Sequence, residues 1–317
     1  MKYQSYDIVC FGAPLVEIMR PGINMHMYEP GLFEGPYPSG DTAIMIDAAA
    51  KMGAKATLFG VIGEDDFGRC ITQRLTRDGV DVSYLRTAPF ETTGIAFVAY
   101  FGDGSRKFIF TAPNSAARLL CEDDVASQVL MNTKWLHISG FPLSISSSAC
   151  TAVEKALSMT GPDVKVSFDP NLRPEVIKGG EIRRICDRVL ERCDLFLPSA
   201  GEAALFAGTG NDDEGCRHFA KAGKLVVLKN GKDGCVIYEN NERLMIPSYP
   251  VEEVDPTGAG DAFCGAFITA LCENRSLSEA GRFANALGAL SVTKKGPMEG
   301  IVDRAVVEAL MKSGGTK

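Results

Sequence analysis

Short apolar runs alternate with segments of helical period along nearly the whole chain. Continuous apolar or β-branched runs predict strands at 7–11, 56–61, 135–139, 165–168, 194–197, 225–228 and 235–238. Helical stretches are predicted at 41–52, 68–78, 146–158, 181–191, 201–206, 212–222, 259–273, 278–293 and 303–311. Several strands are apolar throughout, as strands covered on both faces are. The pattern predicts an α/β fold with helices on both faces of a mostly parallel sheet.

Two stretches depart from this alternation. Residues 16–38 are rich in glycine, proline and aromatic residues and lack a helical period. Residues 92–111 predict a β-hairpin, with strands at 93–101 and 107–111 around a turn at 101–106. We expect these insertions, at about 14–38 and 92–112, to pair into a small β-sheet that projects from a single domain spanning 1–317.

Composition narrows the function classes. The chain has 317 residues, 45% of them hydrophobic, and a net charge of −7, which argues against a protein that binds nucleic acid or anionic membranes. It shows neither a signal peptide nor an apolar run long enough to span a bilayer, so we expect a cytoplasmic protein. Ten scattered cysteines without a Cys-x-x-Cys pair suggest buried thiols, and three distant histidines do not favour zinc.

The most informative motif is the run 255–263, which lies between a predicted strand at 249–254 and a predicted helix at 260–272. A glycine turn at a helix N-terminus presents free N–H groups and binds anions, usually phosphate. The same turn carries the carboxylate of Asp261, which suits the removal of a proton from a hydroxyl that attacks phosphorus. The residues alone also fit a simple strand-to-helix turn with an aspartate cap.

The nine positions from Asp255 to Phe263 resemble the C-terminal signature of the PfkB, or ribokinase-like, family of sugar and nucleoside kinases. The resemblance implies a three-layer α/β/α domain with a β-sheet lid over the sugar site, and ATP and Mg²⁺ as cofactors. It implies that Asp261 is the catalytic base. The N–H groups of Gly258, Ala259, Gly260 and Asp261 would stabilise charge on the transferring phosphoryl oxygens.

Two further motifs follow predicted strands, where ligands bind in open α/β sheets. In the run 169–173, the resemblance implies that Arg173 contacts substrate or the transferring phosphoryl group, and that Asn171 holds the loop or contacts phosphate. In the run 199–202, it implies that Glu202 supports the magnesium ion. Ser199 stands where the family usually has asparagine. Without the resemblance, the first motif is a polar turn and the second a capping box.

Three more predictions rest on the resemblance. The turn with Lys229, Gly231 and Gly234 would lie beside the nucleotide, although its residues alone fit a plain hairpin. Asn285 would border the adenine, in a small-residue segment that also suits close helix packing. Many members hold a monovalent cation such as K⁺ in the region that corresponds to Asp255 and Thr257.

The substrate side is less typical of the family. Gly40 and Asp41 fit sugar contacts, although Asp41 also fits a helix cap. The segments 12–17, 199–202, 284–285 and 296–300 resemble the 2-keto-3-deoxygluconate kinase and fructokinase branches. A sugar acid needs cations for its carboxylate. Thr111 stands where the second arginine is expected, which favours a neutral keto-sugar such as fructose or tagatose, unless Arg106 substitutes.

Other function classes stay open at this point. A nucleoside or ribose kinase of the same family is one alternative, and a catalytically silent sugar- or nucleotide-binding regulator is another. A dinucleotide-dependent oxidoreductase is disfavoured, because the first strand is not followed by Gly-x-Gly-x-x-Gly. Aromatic residues of the insertions, Tyr28, Phe33 and Phe101, are compatible with a homodimer formed through the lid.

Overall fold

The computed structural model describes residues 5–171 and 180–314. The strands are β1 Tyr6–Phe11, β2 Leu15–Ile23, β3 Glu34–Ser39, β4 Ala56–Gly63, β5 Leu85–Ala88, β6 Gly94–Tyr100, β7 Arg106–Phe110, β8 Thr133–Ser139, β9 Lys165–Asp169, β10 Leu195–Phe196, β11 Leu225–Lys229, β12 Cys235–Glu239 and β13 Glu242–Ile246. The helices are α1 Asp41–Lys51, α2 Asp66–Arg77, α3 Ser127–Met131, α4 Gly140–Leu143, α5 Ser147–Met159, α6 Gly180–Arg192, α7 Glu202–Ala207, α8 Asp212–Lys221, α9 Ala259–Cys272, α10 Leu277–Ser291 and α11 Arg304–Ser313.

The large sheet confirms the predicted α/β class. Among the described residues its order is β13-β12-β11-β10-β9-β8-β1-β4-β5, and the pairs from β11 through β5 are parallel. The two remaining pairs described in this sheet, β11–β12 and β12–β13, are antiparallel. The parallel strands therefore end at one common edge, where the loops that follow them come together.

Both faces of the large sheet are covered. On β1, Val9 and Phe11 pack into a core cluster with residues of α5, α6 and α8. Ile8 and Cys10, which point to the opposite face, pack with residues of α1, α9 and α10. A strand buried on both faces has no polar alternation, which explains the continuous apolar runs of the sequence.

The two insertions supply a second, smaller sheet of order β3-β2-β6-β7. Strand β2 pairs antiparallel with β3 and parallel with β6, and β6 and β7 form the predicted hairpin. Strand β3 leads into α1 through the single residue Gly40, whose φ is 105°. A Cβ there would lie 2.8 Å from the carbonyl oxygen of Ala13, so both conformation and space require glycine.

One predicted element is wrong. The strand expected at 249–254 is an extended loop, and residues 251–254 are exposed. Pro250 removes a ladder donor within this stretch, and Glu252 and Glu253 favour solvent over a sheet. Among the described residues, no helix is both long and apolar enough to span a membrane. All ten cysteines are free thiols, and seven of them are buried.

Candidate active site

Side chains from separate strands and helices meet at the carboxyl edge of the large sheet. Asp169 ends β9 and Lys229 ends β11. Asp41 and Asp261 lie in the first turns of α1 and α9. The parallel topology brings these four residues together, as the positions of their motifs predicted.

The turn before α9 has the geometry of an anion-binding site. Gly258 is the N-cap residue with a φ of 82°, and no side chain caps the helix. A Cβ at Gly258 would lie 2.7 Å from the carbonyl oxygen of Pro297, so glycine is required here. The N–H groups of Gly258, Gly260 and Asp261 have no hydrogen-bond partner within 5–171 and 180–314. The 14-residue helix directs its positive dipole end to the same place.

Asp261 is not a helix cap, because its carboxylate accepts from a distant side chain. The side-chain amide of Asn171 donates to Asp261 Oδ1 at 3.1 Å and to Asp41 Oδ2 at 3.4 Å. Asp41 is not the N-cap of α1 either, since Gly40 holds that position. Asp41 accepts from the Thr42 N–H at 2.7 Å and from the Ser139 hydroxyl. The Asn171 amide thus bridges two carboxylates.

The environment raises the pKa of both bridged carboxylates. Burial raises the pKa of Asp261 well above its ordinary value, the charges of Asp41 and Asp169 raise it further, and the Lys229 ammonium opposes them. Burial also raises the pKa of Asp41 to about 6, against the lowering effect of its hydrogen bonds from Ser139 and Thr42. A carboxylate with a raised pKa is a better proton acceptor at neutral pH, provided that it stays ionised.

Residues predicted for the nucleotide side lie around the same edge. Lys229 is 9% exposed, and its ammonium forms an ion pair with the buried Asp169. Ser199 forms a parallel β-bridge with Lys229, and its N–H donates to Glu202 Oε2 at 2.6 Å. This is one of the two contacts of a capping box, but the N-cap residue of α7 is Gly201, which has no side chain to cap the helix, so the predicted box is not formed. The predicted role of Glu202 at the magnesium ion stays a prediction.

Three other predicted nucleotide residues have clear structural contacts. Gly231 and Gly234 have φ values of 54° and 93° in the β11–β12 turn, and a Cβ at Gly234 would lie 2.1 Å from the carbonyl oxygen of Ile246. The buried Asn285 amide donates to the carbonyl oxygens of Ile246 and Pro247 at 3.0 and 3.1 Å. These contacts shape the loop, and they do not test whether it binds a nucleotide.

The small sheet reaches the glycine turn through two side chains. The Tyr100 hydroxyl donates to Asp255 Oδ1 at 2.8 Å and lies 3.1 Å from the Thr257 hydroxyl. The exposed Arg106 guanidinium donates to the same Thr257 hydroxyl at 3.2 Å. Asp255 also accepts the N–H groups of Thr257 and Gly296. Tyr100 and Arg106 therefore connect the small sheet to the loop that precedes Gly258.

Sequence reasoning missed Glu17 as a site residue. This glutamate lies opposite Ala96 in the small sheet, on the face that also carries Tyr100. It is 2% exposed, its Oε2 accepts from Ser39 at 3.3 Å, and its Oε1 has no partner in the described part of the chain. Burial, reinforced by the charge of Asp255, raises its pKa to about 8. The sequence did contain a signal for this residue, because Glu17 is the only charged residue in the otherwise apolar run 15–19.

Asp169 and Ser139 were also missed, although Asp169 opens a motif that was singled out. Both end parallel strands, and their position was the available signal. The predicted contact Arg173 lies outside the described residues.

Two open cavities, of about 510 and 720 Å³, lie along α2 and share none of these site residues. Three arginines line the first cavity, Arg69, Arg74 and Arg77, and each is paired with a carboxylate. Because these arginines are already paired, they are poorly suited to bind an anionic substrate. The candidate catalytic residues lie instead at the carboxyl edge of the large sheet.

Comparison with known proteins agrees with this geometry. The model of the family described as pfkB family carbohydrate kinase matches residues 35–304. Fructokinase-1 of Oryza sativa subsp. japonica is 30% identical over 99% of this chain and 100% of its own length. The 2-dehydro-3-deoxygluconokinase of Thermoproteus tenax is 29% identical over 97% of this chain and 94% of its own length.

A solved structure extends the likeness to three dimensions. A candidate Ribokinase II from E. coli, in complex with ATP and Mg²⁺, is 38% identical with a TM-score of 0.92, and the match covers 97% of this chain and 99% of that one. These matches confirm the resemblance predicted from the motifs. The chain belongs to the pfkB family of carbohydrate kinases, and it is a phosphotransferase that acts on a sugar hydroxyl.

Proposed function

We propose that this kinase uses ATP and Mg²⁺ to phosphorylate a primary hydroxyl of a neutral keto-sugar such as fructose or tagatose. One observation carries the proposal: the Asp261 carboxylate lies in the first turn of α9, beside N–H groups that have no partner among the described residues. A proton acceptor and an oxyanion site are thus held next to each other, as in-line phosphoryl transfer requires.

In this reaction the sugar hydroxyl gives its proton to Asp261 as its oxygen forms a bond to the γ-phosphorus. The bond from that phosphorus to the bridging oxygen breaks, and ADP leaves with the electron pair. ATP supplies the phosphoryl group, and Mg²⁺ neutralises phosphate charge. The N–H groups of Gly258, Ala259, Gly260 and Asp261 stabilise the transferring oxygens, and loss of one such donor typically costs about 100–1,000-fold in rate.

The residues present fit these cofactors. The uncapped N-terminus of α9 suits phosphate, and Mg²⁺ in such sites is held largely by phosphate oxygens with one or two carboxylates. We assign Glu202 an indirect role at Mg²⁺ and place Ser199, Lys229, Gly231, Gly234 and Asn285 on the nucleotide side. Asn171 is placed beside the transferring phosphate. Asp255 and Thr257 would hold K⁺.

A neutral sugar is favoured by the polar groups that the small sheet carries near the glycine turn. The face of this sheet near the glycine turn carries the buried acid Glu17, and its cation Arg106 already donates to Thr257. A protonated carboxyl group donates and accepts hydrogen bonds to sugar hydroxyls, and it supplies no positive charge for a sugar carboxylate. Gly40 and Asp41 complete the proposed sugar contacts.

A keto-sugar acid is the second candidate, because the relative from Thermoproteus tenax is named for one and Arg173 would supply a cation. A ribose or nucleoside substrate has less support, and a silent regulator has no need of the Asp261 base. The small sheet serves as a lid that excludes water from the transfer, within a single domain.

The test is an ADP-release screen with ATP, Mg²⁺ and purified protein against fructose, tagatose, 2-keto-3-deoxygluconate, ribose and adenosine. We expect the highest kcat/KM with a neutral ketohexose, and NMR of the product should show the phosphate on a primary hydroxyl. A preference for 2-keto-3-deoxygluconate would overturn the substrate assignment alone. If none of the sugars releases ADP while ATP still binds, the regulator replaces the kinase.

We also propose that two copies associate through the small sheets. Tyr28 and Leu32 are 81% and 76% exposed on this insertion, and Ile109 is exposed on the edge strand β7. Unpaired edges and exposed apolar residues favour association. Sedimentation analysis of the wild type and of Leu32→Glu should show a dimer and a monomer respectively, and a monomeric wild type would contradict the proposal.

A further inference from the structure

The ion pair of Lys229 and Asp169 has a role that nucleotide contact alone does not explain. The Lys229 ammonium is buried, pairs with Asp169 Oδ2 and lies 3.6 Å from the Cys264 thiol. A Cβ added to Gly260 would lie 3.6 Å from Lys229 Nζ, so the ammonium is directly behind the glycine turn. A buried ion pair typically adds little net stability, because desolvation offsets the attraction between its charges.

The other oxygen of Asp169 holds a turn. Asp169 Oδ1 accepts the backbone N–H of Asn171 at 3.2 Å, and Asn171 adopts a left-handed φ of 39°. Asparagine tolerates this conformation better than most residues, but it still needs support from its neighbours. Lys229 fixes one carboxylate oxygen, and the other oxygen fixes the Asn171 backbone.

The turn directs the Asn171 side chain at the reacting groups. Its amide nitrogen donates to Asp261 Oδ1 at 3.1 Å and to Asp41 Oδ2 at 3.4 Å. Contacts therefore run without a break from the Lys229 ammonium through Asp169 and Asn171 to the Asp261 carboxylate. An amide that donates to two neighbouring carboxylates reduces their repulsion and fixes their orientation.

We propose, on the basis of the assignment of Asp261 as base, that Lys229 and Asp169 are positioning residues that hold the Asn171 amide against Asp261 and Asp41. Their charge also acts directly: the ammonium lowers the pKa of Asp261, which burial and the neighbouring acids raise. Groups that face Asp261 from the packed elements are Asp41, Asp169, Glu202, Lys229 and Cys264. The Asp169 carboxylate raises the pKa of Asp261, so the pair acts on this base chiefly by orienting it, and within the pair only the Lys229 ammonium favours its ionised form.

The kinetic test compares Lys229→Met, Asn171→Ala and the double variant with the wild type. Each single change should lower kcat about 10-fold or more and move the acidic limb of the kcat profile to higher pH, with sugar KM within about twofold. Because both residues act through one contact chain, the double variant should be little worse than the worse single variant. Fully additive losses would overturn the proposal.

Two controls separate positioning from other roles. Lys134→Met breaks an exposed lysine–aspartate pair, with Asp7, and should leave kcat and the pH profile unchanged. A Lys229 role limited to the nucleotide would raise the KM for ATP without moving the acidic limb. If Lys229→Met does not fold because it leaves the Asp169 charge unpaired, the double variant Lys229→Met/Asp169→Asn replaces it. This variant removes both charges and should still lower kcat.

A readout that needs no turnover keeps this proposal distinct from the kinase assignment. NMR titration of ¹³C-labelled aspartate carboxyls should show the Asp261 resonance titrating at higher pH in Lys229→Met and in Asn171→Ala than in the wild type. If the Asp261 titration shifts in this way but the protein phosphorylates no sugar, the kinase assignment is contradicted and the proposed contact chain is still supported. An unchanged Asp261 titration in both variants would refute the contact chain.

Discussion

The two halves of the site, the sheet edge around Asp261 and the small sheet around Glu17, differ in how completely their buried carboxylates are paired. At the sheet edge, Asp41, Asp169 and Asp261 each accept from named donors. On the small sheet, Glu17 is as deeply buried as Asp169, yet its Oε1 has no partner among the described residues. We therefore expect the carboxylates of the proposed phosphoryl side to be oriented before any ligand binds, and Glu17 on the proposed sugar side to gain its missing partner from the ligand.

The largest expected effect comes from removing the base. Asp261→Asn keeps the size of the side chain and loses the proton acceptor, so kcat should fall by at least about 100-fold. ATP binding, measured by calorimetry, should persist because the N–H groups of the turn remain. Near-normal turnover in a folded Asp261→Asn protein would remove this residue from the mechanism.

Replacing Glu17 tests the small-sheet side of the site, where one carboxylate oxygen has no partner among the described residues. Glu17→Gln should lower kcat/KM for the sugar by up to about 10-fold and leave the KM for ATP unchanged, since a hydrogen bond to a neutral polar group contributes about 0.5–1.5 kcal/mol. The exposed Glu242→Gln on β13 is the matched control. A Glu17→Gln enzyme with unaltered sugar kinetics would place the sugar elsewhere.

Glu17 should also make folding stability depend on pH. Its folded pKa is raised from 4.5 to about 8, so between these values the folded state holds a proton that the unfolded state has lost. Stability from this group is present below pH 4.5 and is lost as pH rises through 8, with an upper limit of about 5 kcal/mol. Unfolding temperatures of the wild type should therefore fall relative to Glu17→Gln between pH 5 and 8.5, and parallel curves would contradict this.

An effect on sugar kinetics similar in size to that of Glu17→Gln, but confined to KM, is expected where the small sheet contacts the glycine turn. Tyr100→Phe removes the hydroxyl that contacts Asp255 and Thr257, and should raise the sugar KM by about 10-fold with kcat within about twofold. The exposed Tyr28→Phe serves as control. A loss confined to kcat would show that Tyr100 assists the chemical step instead of closing the small sheet.

The smallest effect is expected for Arg106→Met. Its contact with Thr257 is exposed, and exposed contacts of charged groups contribute about 0–1 kcal/mol, so kcat/KM for a ketohexose should change by no more than about fivefold. Steady-state kinetics with a ketohexose and with 2-keto-3-deoxygluconate check this. A loss above about 50-fold for the sugar acid alone would make Arg106 its carboxylate ligand.

The two halves also differ in how well the sequence predicted them. Apolar runs located seven of the nine strands described in the large sheet, because burial on both faces leaves no other pattern. The edge strands β5 and β13 were missed, since much of each is exposed and neither forms a continuous apolar run. The parallel topology then brought the motifs to one edge. The motif of residues 255–263 predicted the anion turn, because positive φ at Gly258 leaves few sequence alternatives.

Long-range pairing could not be predicted in the same way. The Asn171 bridge joins residues 90 and 130 positions apart, and Lys229 meets Asp169 across 60 positions. The loop at 249–254 was mistaken for a strand because its aromatic and aliphatic residues outweighed Pro250. Glu17 was read as part of a branch motif, since burial of one acid depends on strands that pair from distant segments.

The single residue between β3 and α1 has a mechanical consequence. Gly40 joins the strand that ends at Ser39 to the helix that begins with Asp41, and it is the only residue between the two elements. We therefore expect any rotation of the proposed lid relative to α1 to be concentrated at Gly40, next to Asp41. Opening for product release would then change the position of Asp41 relative to the Asn171 amide, so that release of product and loss of the reactive arrangement would be one movement.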